Sequence, residues 1–355
     1  LDRALHIGDV EVGLPAVQAA LSGYSDLAMR AVAREHGATY AINEVVLDAL
    51  VLQKGKLQRR ILSVPDYDHP VGGQLMGSQP ETFGDAARAL VKAGYDVVDI
   101  NFGCPVNKVL GRRRGGWLLQ DTDTALGIID SVLQAVQGDA PVSVKMRRGT
   151  DDSPEAERRF WEILEGGIER GLCAATVHPR TVKQKYIGPS RWEFLKRAKQ
   201  RVGDFTLLGS GDLFSAYDVV EMVRETGVDG VTVARGCIGN PFVFQQVRDL
   251  AAGRAPKRPT CAEQRRAIAR HWELAVPFYR DERRALPPVR MHVIKYAQYH
   301  RDPVWAREQL VRVRQPDDLL KKVQEVFDDR FDEGRPLELT REDAVVPALQ
   351  SCAEG

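Results

Sequence analysis

Val97-Val98-Asp99-Ile100-Asn101-Phe102-Gly103-Cys104-Pro105 is the stretch on which the fold turns. Its first four residues read as a short strand. The next five form a turn that carries polar side chains away from the strand's end. A helical pattern follows at 124–136, and then a second short strand, Val142-Ser-Val-Lys-Met146. The same alternation extends in both directions. Strands are read at 17–21, 39–43, 71–76, 97–100, 142–146, 174–177, 206–208 and 230–233. Helical patterns lie between most of them, at 26–36, 81–93, 124–136, 154–170, 191–201 and 216–226, with one more at 241–251. Several strands are continuously apolar rather than alternating, as parallel strands covered by helices are. Eight alternations predict an α/β fold, a closed (β/α)8 TIM barrel, with an open doubly wound sheet as the alternative.

The chain has 355 residues, more than one barrel of roughly 250 needs. A barrel is expected over 1–252, and Gly-Arg-Ala-Pro-Lys-Arg-Pro at 253–259 reads as a linker. Helical patterns at 262–279, 289–300, 304–313 and 317–331 predict a small C-terminal helical domain over 260–331, and 332–355 is expected to be a loosely held tail. Hydrophobic residues make up 43% and charged residues 28%, an ordinary globular balance that excludes a disordered or fibrous chain. No apolar run is long enough to predict a membrane span, and residues 1–12 show no secretory signal. Cys104, Cys173, Cys237, Cys261 and Cys352 form no Cys-x-x-Cys pair, so neither a metal site nor a disulfide framework is expected. A reducing, cytoplasmic setting and a monomer are the expectations. The net charge of +1 does not argue for a nucleic-acid partner, so any such argument must rest on local clusters.

Chemistry in a barrel of this kind sits where strands lead into helices. Reading those ends in order collects Leu21-Ser22-Gly23, Asn43-Glu44, Gln74, Asn101 with Cys104, Lys145, His178 with Arg180, Ser210-Gly211-Asp212 and Ala234-Arg235-Gly236. A lone glutamine or histidine among these is as readily structural. Lys145 is different, because a lysine within an apolar strand is costly unless an anion pairs with it. The last two strand ends place glycines where backbone N–H groups can meet an anion, and Arg235 can fork onto phosphate oxygens. A phosphate-bearing ligand is expected there, and FMN or a sugar phosphate would both satisfy it.

These segments together resemble the tRNA-dihydrouridine synthases. Asp99-Ile-Asn-Phe-Gly-Cys-Pro-Val-Asn-Lys-Val109, followed by Gly115-Gly-Trp-Leu-Leu119, is similar to the family's Asn-x-Gly-Cys-Pro signature and the glycine-containing loop behind it. Segments around Ala20–Asp26, Gly73–Gly77, Val142–Arg147, Val177–Thr181, Gly209–Asp212 and Ala234–Pro241 follow in the family's order. The resemblance implies FMN as cofactor and NADPH, or NADH, as reductant. It implies that Ala20, Leu21 and Ser22 meet the flavin mainly through backbone, and that Gln74 and Lys145 address its ring. His178 would lie beside the ring, and Ser210, Gly211, Asp212, Ala234 and Arg235 would hold the ribityl phosphate. Cys104 matches the family's proton donor. Departures fall at Ala20-Leu21, Ser210, Ala234 and Met291, where the family usually carries Pro-Met, Asn, Gly and Lys; Arg290 and His292 match positions of its helical domain.

The expected reaction reduces specific tRNA uridines to 5,6-dihydrouridine, with hydride to C6 and a proton from Cys104 to C5. Asn101 is expected to hydrogen-bond the uracil edge. A base is reached only by flipping it out of its stack, which leaves the backbone phosphates to surface cations. Arg112, Arg113 and Arg114, beside Cys104, are the first candidates. A second cluster runs from Arg180 through Lys183, Lys185, Arg191, Lys196, Arg197 and Lys199 to Arg201, and reads equally well as a solvated face. The competing readings are a flavin barrel acting on a small pyrimidine, a flavin-free barrel with a Schiff base at Lys145, and a non-catalytic RNA-binding relative.

Overall fold

The computed structural model describes residues 4–344. An antiparallel hairpin opens the chain, β1 (Leu5–Ile7) and β2 (Val10–Gly13). There follow β3 (Ala16–Gln18), β4 (Ala41–Ile42), β5 (Val46–Leu47), β6 (Val71–Met76), β7 (Val97–Phe102), β8 (Val142–Arg147), β9 (Ala174–His178), β10 (Thr206–Ser210) and β11 (Gly230–Val233). All pairings from β3 onward are parallel. The strands β6 to β11 pair in chain order, β11 pairs β3, β3 pairs β4, and β4 pairs β6. That last pairing closes the ring at eight strands and rules out the open sheet. β5 is a short extension along the far end of β6.

The strands that read as apolar runs are the buried ones. Every residue of β6 and β7 is buried, as a sheet with side chains on one face and helices on the other requires. Helices Pro80–Lys92, Thr122–Val136, Pro154–Arg170 and Trp192–Val202 make these connections. Ser153 caps the third of them by accepting from Ala156 N, and Gly171 ends it in the left-handed region. The hairpin was not foreseen. Its Leu5, Ile7 and Val12 pack with Val17, Tyr40, Ile42, Val97, Ala174 and Leu208, residues at or near the starts of strands. The hairpin therefore stoppers one end of the barrel. Burying each such aliphatic side chain contributes about 1.5–3 kcal/mol, and the opposite end is left for chemistry.

The chain divides into two compact units. One comprises residues 1–22, 39–212 and 221–233; the other comprises 23–38, 213–220 and 234–355. The second has its own core, in which Ala28 and Val32 join Ile268, Trp272, Leu286, Val289, Val293, Leu310, Leu319 and Phe327. Helix Cys261–Tyr279 starts at a reciprocal cap between Thr260 and Glu263. Helix Glu282–Tyr296 begins seven residues before the expected 289, because Asp281 caps it by accepting from Arg284 N and because it carries Pro287 and Pro288 inside it. A proline pair reads as a breaker, but here the burial of Ala285, Leu286 and Val289 holds the turn. Part of the expected tail is packed. Leu339 N donates to Pro256 O at 2.8 Å and Arg258 N to Leu337 O at 2.7 Å, so this segment satisfies the backbone of the expected linker. Residues 345–355 of that tail lie outside the described residues.

Candidate active site

The register of β6, β7 and β8 sets the site. Gln74 lies opposite Asp99, Asp99 opposite Ser143, Asn101 opposite Lys145, and Arg147 opposite His178. Alternate positions of a strand share a face, so these side chains form one polar layer above the apolar one. Gln74, Asp99, Asn101 and Ser143 are joined by a chain of hydrogen bonds. Ser143 Oγ donates to Asp99 Oδ1 at 2.5 Å, Gln74 Nε2 donates to Asp99 Oδ2 at 2.6 Å, and Asn101 Nδ2 donates to Gln74 Oε1 at 2.7 Å. Asn43 Oδ1 accepts from Gln74 N at 2.9 Å. Burial pushes the Asp99 carboxyl up, and the hydrogen bonds from Ser143 and Gln74 and the nearby Lys145 charge offset part of that rise.

Lys145 is the unresolved charge of this layer. Its Nζ makes a long hydrogen bond of 3.4 Å to Ser210 Oγ. Burial pulls its pKa down to about 8; Asp99 opposes that fall and Arg147 adds to it. An ammonium so placed gains from any anion that comes within reach.

Cys104 is held by the turn that follows β7. Asn101 Oδ1 accepts from both Gly103 N, at 3.0 Å, and Cys104 N, at 3.1 Å. Arg147 Nε fixes the Gly103 carbonyl at 3.0 Å, while its Nη1 donates to Thr181 O and Lys185 O. On the other side the loop returns against the cysteine, with Gly116 N donating to Cys104 O at 3.0 Å. Gly115 has a φ of 58°, and a Cβ there would come within 2.8 Å of Cys104 Cβ. The glycine of this loop is thus a steric need as well as a conformational one. The thiol is half-buried, and burial raises its pKa, with the Val106 backbone N–H and the Arg147 charge opposing the rise. It therefore stays protonated through neutral pH, which suits an acid rather than a nucleophile.

The family of the chain is decided by comparison. It matches the family described as Dihydrouridine synthase (Dus) over residues 17–331, most of its length. This chain belongs to the dihydrouridine synthase family. A relative from Mycobacterium tuberculosis, named "Probable tRNA-dihydrouridine synthase", is 32% identical over 304 residues, covering 82% of this chain and 77% of the relative. One from Synechocystis, named "Probable tRNA-dihydrouridine synthase 1", is 30% identical and covers 88% of this chain and 86% of the relative. Among solved structures, morphinone reductase in complex with tetrahydroNAD is similar in fold, with a TM-score of 0.54 and 14% identity, covering 74% of this chain and 93% of that one.

Within this dihydrouridine synthase chain, the other residues singled out from sequence are distributed as follows. Ala20, Leu21 and Ser22 follow β3 and retain some exposure. Ser210 ends β10, and Gly211 beyond it has a φ of 116°, where a Cβ would collide with Ser190 Oγ and press on the His178 ring. Ala234 and Arg235 follow β11, with the Arg235 guanidinium 4.9 Å over the Phe214 ring.

Three assignments of RNA contact are corrected or narrowed. Arg180 is 3% exposed and grips Asp212 with both Nη atoms, at 2.9 and 2.6 Å, and also donates to Gly188 O. It is a buried strut that shapes the Gly211–Asp212 turn, not a surface cation. His292 is 1% exposed, 4.5 Å from the His271 ring and edge-on to Tyr24, and burial holds its pKa well below the usual value. A neutral enclosed ring offers nothing to phosphate. Arg290 is half-buried and spends Nη1 on Val313 O at 2.6 Å.

The second basic cluster is largely neutralised by acids from other elements. Lys183 pairs with Asp151, Arg191 with Asp152, Arg197 with Glu157, Lys199 with Asp229 and Arg201 with Glu165. Those partners come from distant sequence, which is why the reading from sequence could not choose. Arg112 and Arg113, by contrast, are exposed.

Asp99, Ser143 and Arg147 were not singled out. Asp99 had one visible signal, a carboxylate inside an apolar strand. Arg147 had none, since its partners are backbone carbonyls from two other loops.

Proposed function

We propose that this chain reduces uridine in tRNA to 5,6-dihydrouridine, with FMN bound at the open end of the barrel and Cys104 as the acid. The observation that carries this reading is the placing of a half-buried lysine and the Cys104 turn on neighbouring strands. Asn101, which holds the Cys104 turn, lies opposite Lys145 in the register of β7 and β8.

The residues present fit a flavin. Among the described residues, Lys145 makes only a long hydrogen bond, to Ser210, and Thr232 Oγ1, also in the barrel wall, is buried with no hydrogen-bond partner. Both favour a ligand rich in acceptors. Gln74 keeps one N–H and one lone pair beyond its bonds to Asp99 and Asn101, enough to address a heterocycle edge. Lys145 would hold the electron-rich pyrimidine side of the ring, and Ser210, Gly211, Asp212, Ala234 and Arg235 would hold the phosphate, with Ala20, Leu21, Ser22 and His178 flanking it.

When bound, FMN supplies the hydride for uracil C6, replenished by NADPH or NADH. The chain's own residues do the rest. Hydride addition makes C5 basic, and Cys104 gives its Sγ proton there, leaving a thiolate that regains its proton from solvent. The Arg147 charge near Cys104 stabilises that thiolate. Lys145 balances negative charge on the cofactor.

Asn101 is a positioning residue in this scheme. Both lone pairs of its Oδ1 are taken by Gly103 N and Cys104 N, so it can offer uracil only the remaining Nδ2 proton. Asn101→Ala leaves two backbone donors without partners, at a cost of about 1–3 kcal/mol each where they stay dry. It is expected to lower kcat at least tenfold with little change in KM for tRNA, and Asn101→Asp, which keeps the acceptor, is expected to recover part of the loss. Steady-state kinetics on tRNA separate this from a binding role, which would move KM instead.

A further inference from the structure

A chain of 50 cations and 49 acids is nearly neutral, yet several of its stretches carry cations and no acid, and two of these flank β6. Residues 49–65 carry Lys54, Lys56, Arg59 and Arg60, and residues 100–120 carry Lys108, Arg112, Arg113 and Arg114. The first follows β5, the cations of the second follow β7, and β6 pairs with both of these strands. In a parallel ring, segments that leave such strands emerge on the same end of the barrel. Strands spaced about 4.8 Å apart put the two segments on the order of 10 Å apart at their roots. The two segments lie within electrostatic reach: burial raises the carboxyl pKa of Asp48, the residue that starts helix Asp48–Leu52, and the Ala49 backbone N–H and the charge of Arg114 in the other segment oppose that rise.

These side chains face solvent. Lys54, Lys56, Arg59, Arg60, Arg112 and Arg113 are all exposed. Among the described residues, Lys54, Lys56, Arg59, Arg112 and Arg113 form no ion pair, unlike Lys183, Arg191, Arg197, Lys199 and Arg201, which have found carboxylates on other elements. Arg113 lies 5.4 Å over the Trp117 ring, which stiffens its guanidinium, and it holds a left-handed φ of 56°. Lys54, Lys56 and Arg59 on one side of a strand end, with Arg112 and Arg113 on the other, suit a polyanion that passes over that end.

We propose that residues 54–60 and the pair Arg112 and Arg113 form a two-sided phosphate grip. It holds the RNA backbone on both flanks of the nucleotide whose base enters the barrel. The grip rests on the tRNA reading above and adds its missing half, because a flipped nucleotide has a phosphate on each side and the arginines beside Cys104 account for only one.

The test is tRNA binding to the flavin-loaded protein as a function of salt. Three versions are compared with the wild type: K54A/K56A/R59A, R112A/R113A, and K183A/R191A/R197A as a control of equal charge loss. Each phosphate contact contributes roughly 0.7–0.9 to the slope of log affinity against log salt. The grip predicts that the first variant loses roughly 2 from that slope and binds at least about tenfold more weakly at low salt. The second is expected to lose at least roughly 1, and the control less than either. Flavin content reports on folding; if the triple variant loses flavin, the single substitutions at 54, 56 and 59 are read instead, each expected to lose roughly 0.7. An unchanged slope for residues 54–59, or an equal loss in the control, overturns the grip even if tRNA is still reduced. A wild type that leaves tRNA unreduced overturns the reaction reading beneath it, whatever the variants bind.

Discussion

Cys104→Ala is expected to purify yellow, with full flavin content, and to form dihydrouridine roughly 10²–10⁴-fold more slowly than the wild type. The turn is held by main-chain and Asn101 contacts that do not involve the thiol, so the fold around it survives. What is lost is the proton. Without a positioned acid, C5 must take its proton from water that no side chain holds in place. Reduction of the flavin by NADPH does not involve Cys104 and is expected to proceed normally. Stopped-flow measurement of the two half-reactions checks this: a slow flavin reduction would mean that residue 104 has some other role. The pH dependence carries a sign of its own. Burial raises the thiol pKa, so activity is expected to hold through the range where an ordinary thiol ionises and to fall only beyond it.

Lys145→Met is expected to do two opposite things, to weaken FMN binding by at least about a hundredfold and to raise the melting temperature of the flavin-free protein. The same cause underlies both. A lysine pulled down to about 8 from an ordinary 10.5 destabilises the folded protein at neutral pH. The full shift corresponds to about 3 kcal/mol, and the residual exposure of the side chain reduces it. Because the folded pKa is the lower one, the cost is fully present below about 8 and is relieved as pH rises from there toward 10.5. The melting advantage of the variant should therefore shrink above pH 8. Asp99 loses a nearby charge in the variant, but its carboxyl is already raised by burial and takes a proton more readily. FMN binding to the flavin-free wild type should weaken as pH rises through about 8, as the ammonium discharges. A pH-independent affinity, or a variant less stable than the wild type at pH 7, would remove Lys145 from the anion site.

The features legible in sequence were those set by local pattern. The runs at 71–76 and 230–233 are strands with those limits, because an apolar run bounded by glycine or by charge has few alternatives as a parallel strand. Gly115-Gly116 behind Cys104 was legible through the family resemblance as a glycine-containing loop, and in the structure the two residues open a short 3-10 helix, Gly115–Gln120. Features settled by distant partners were not. Arg180 looked like one more cation in a basic run, and only the fold brings Asp212 to it. Asn101 was read as facing the substrate, whereas both lone pairs of its carbonyl oxygen turn to its own loop. The Leu5–Val12 hairpin was missed because three- and four-residue strands leave almost no periodicity, and the apolar stopper they form exists only once the ring has closed.

The most direct measurement takes the protein with its flavin reduced and oxygen excluded, and mixes it in one tube with tRNA that lacks dihydrouridine and in another with free uracil. A uridine reductase with this site should return its flavin to the oxidised spectrum in the first tube alone, with one dihydrouridine gained for each flavin reoxidised. Reoxidation by the free base with tRNA left unchanged, or by neither, would contradict it.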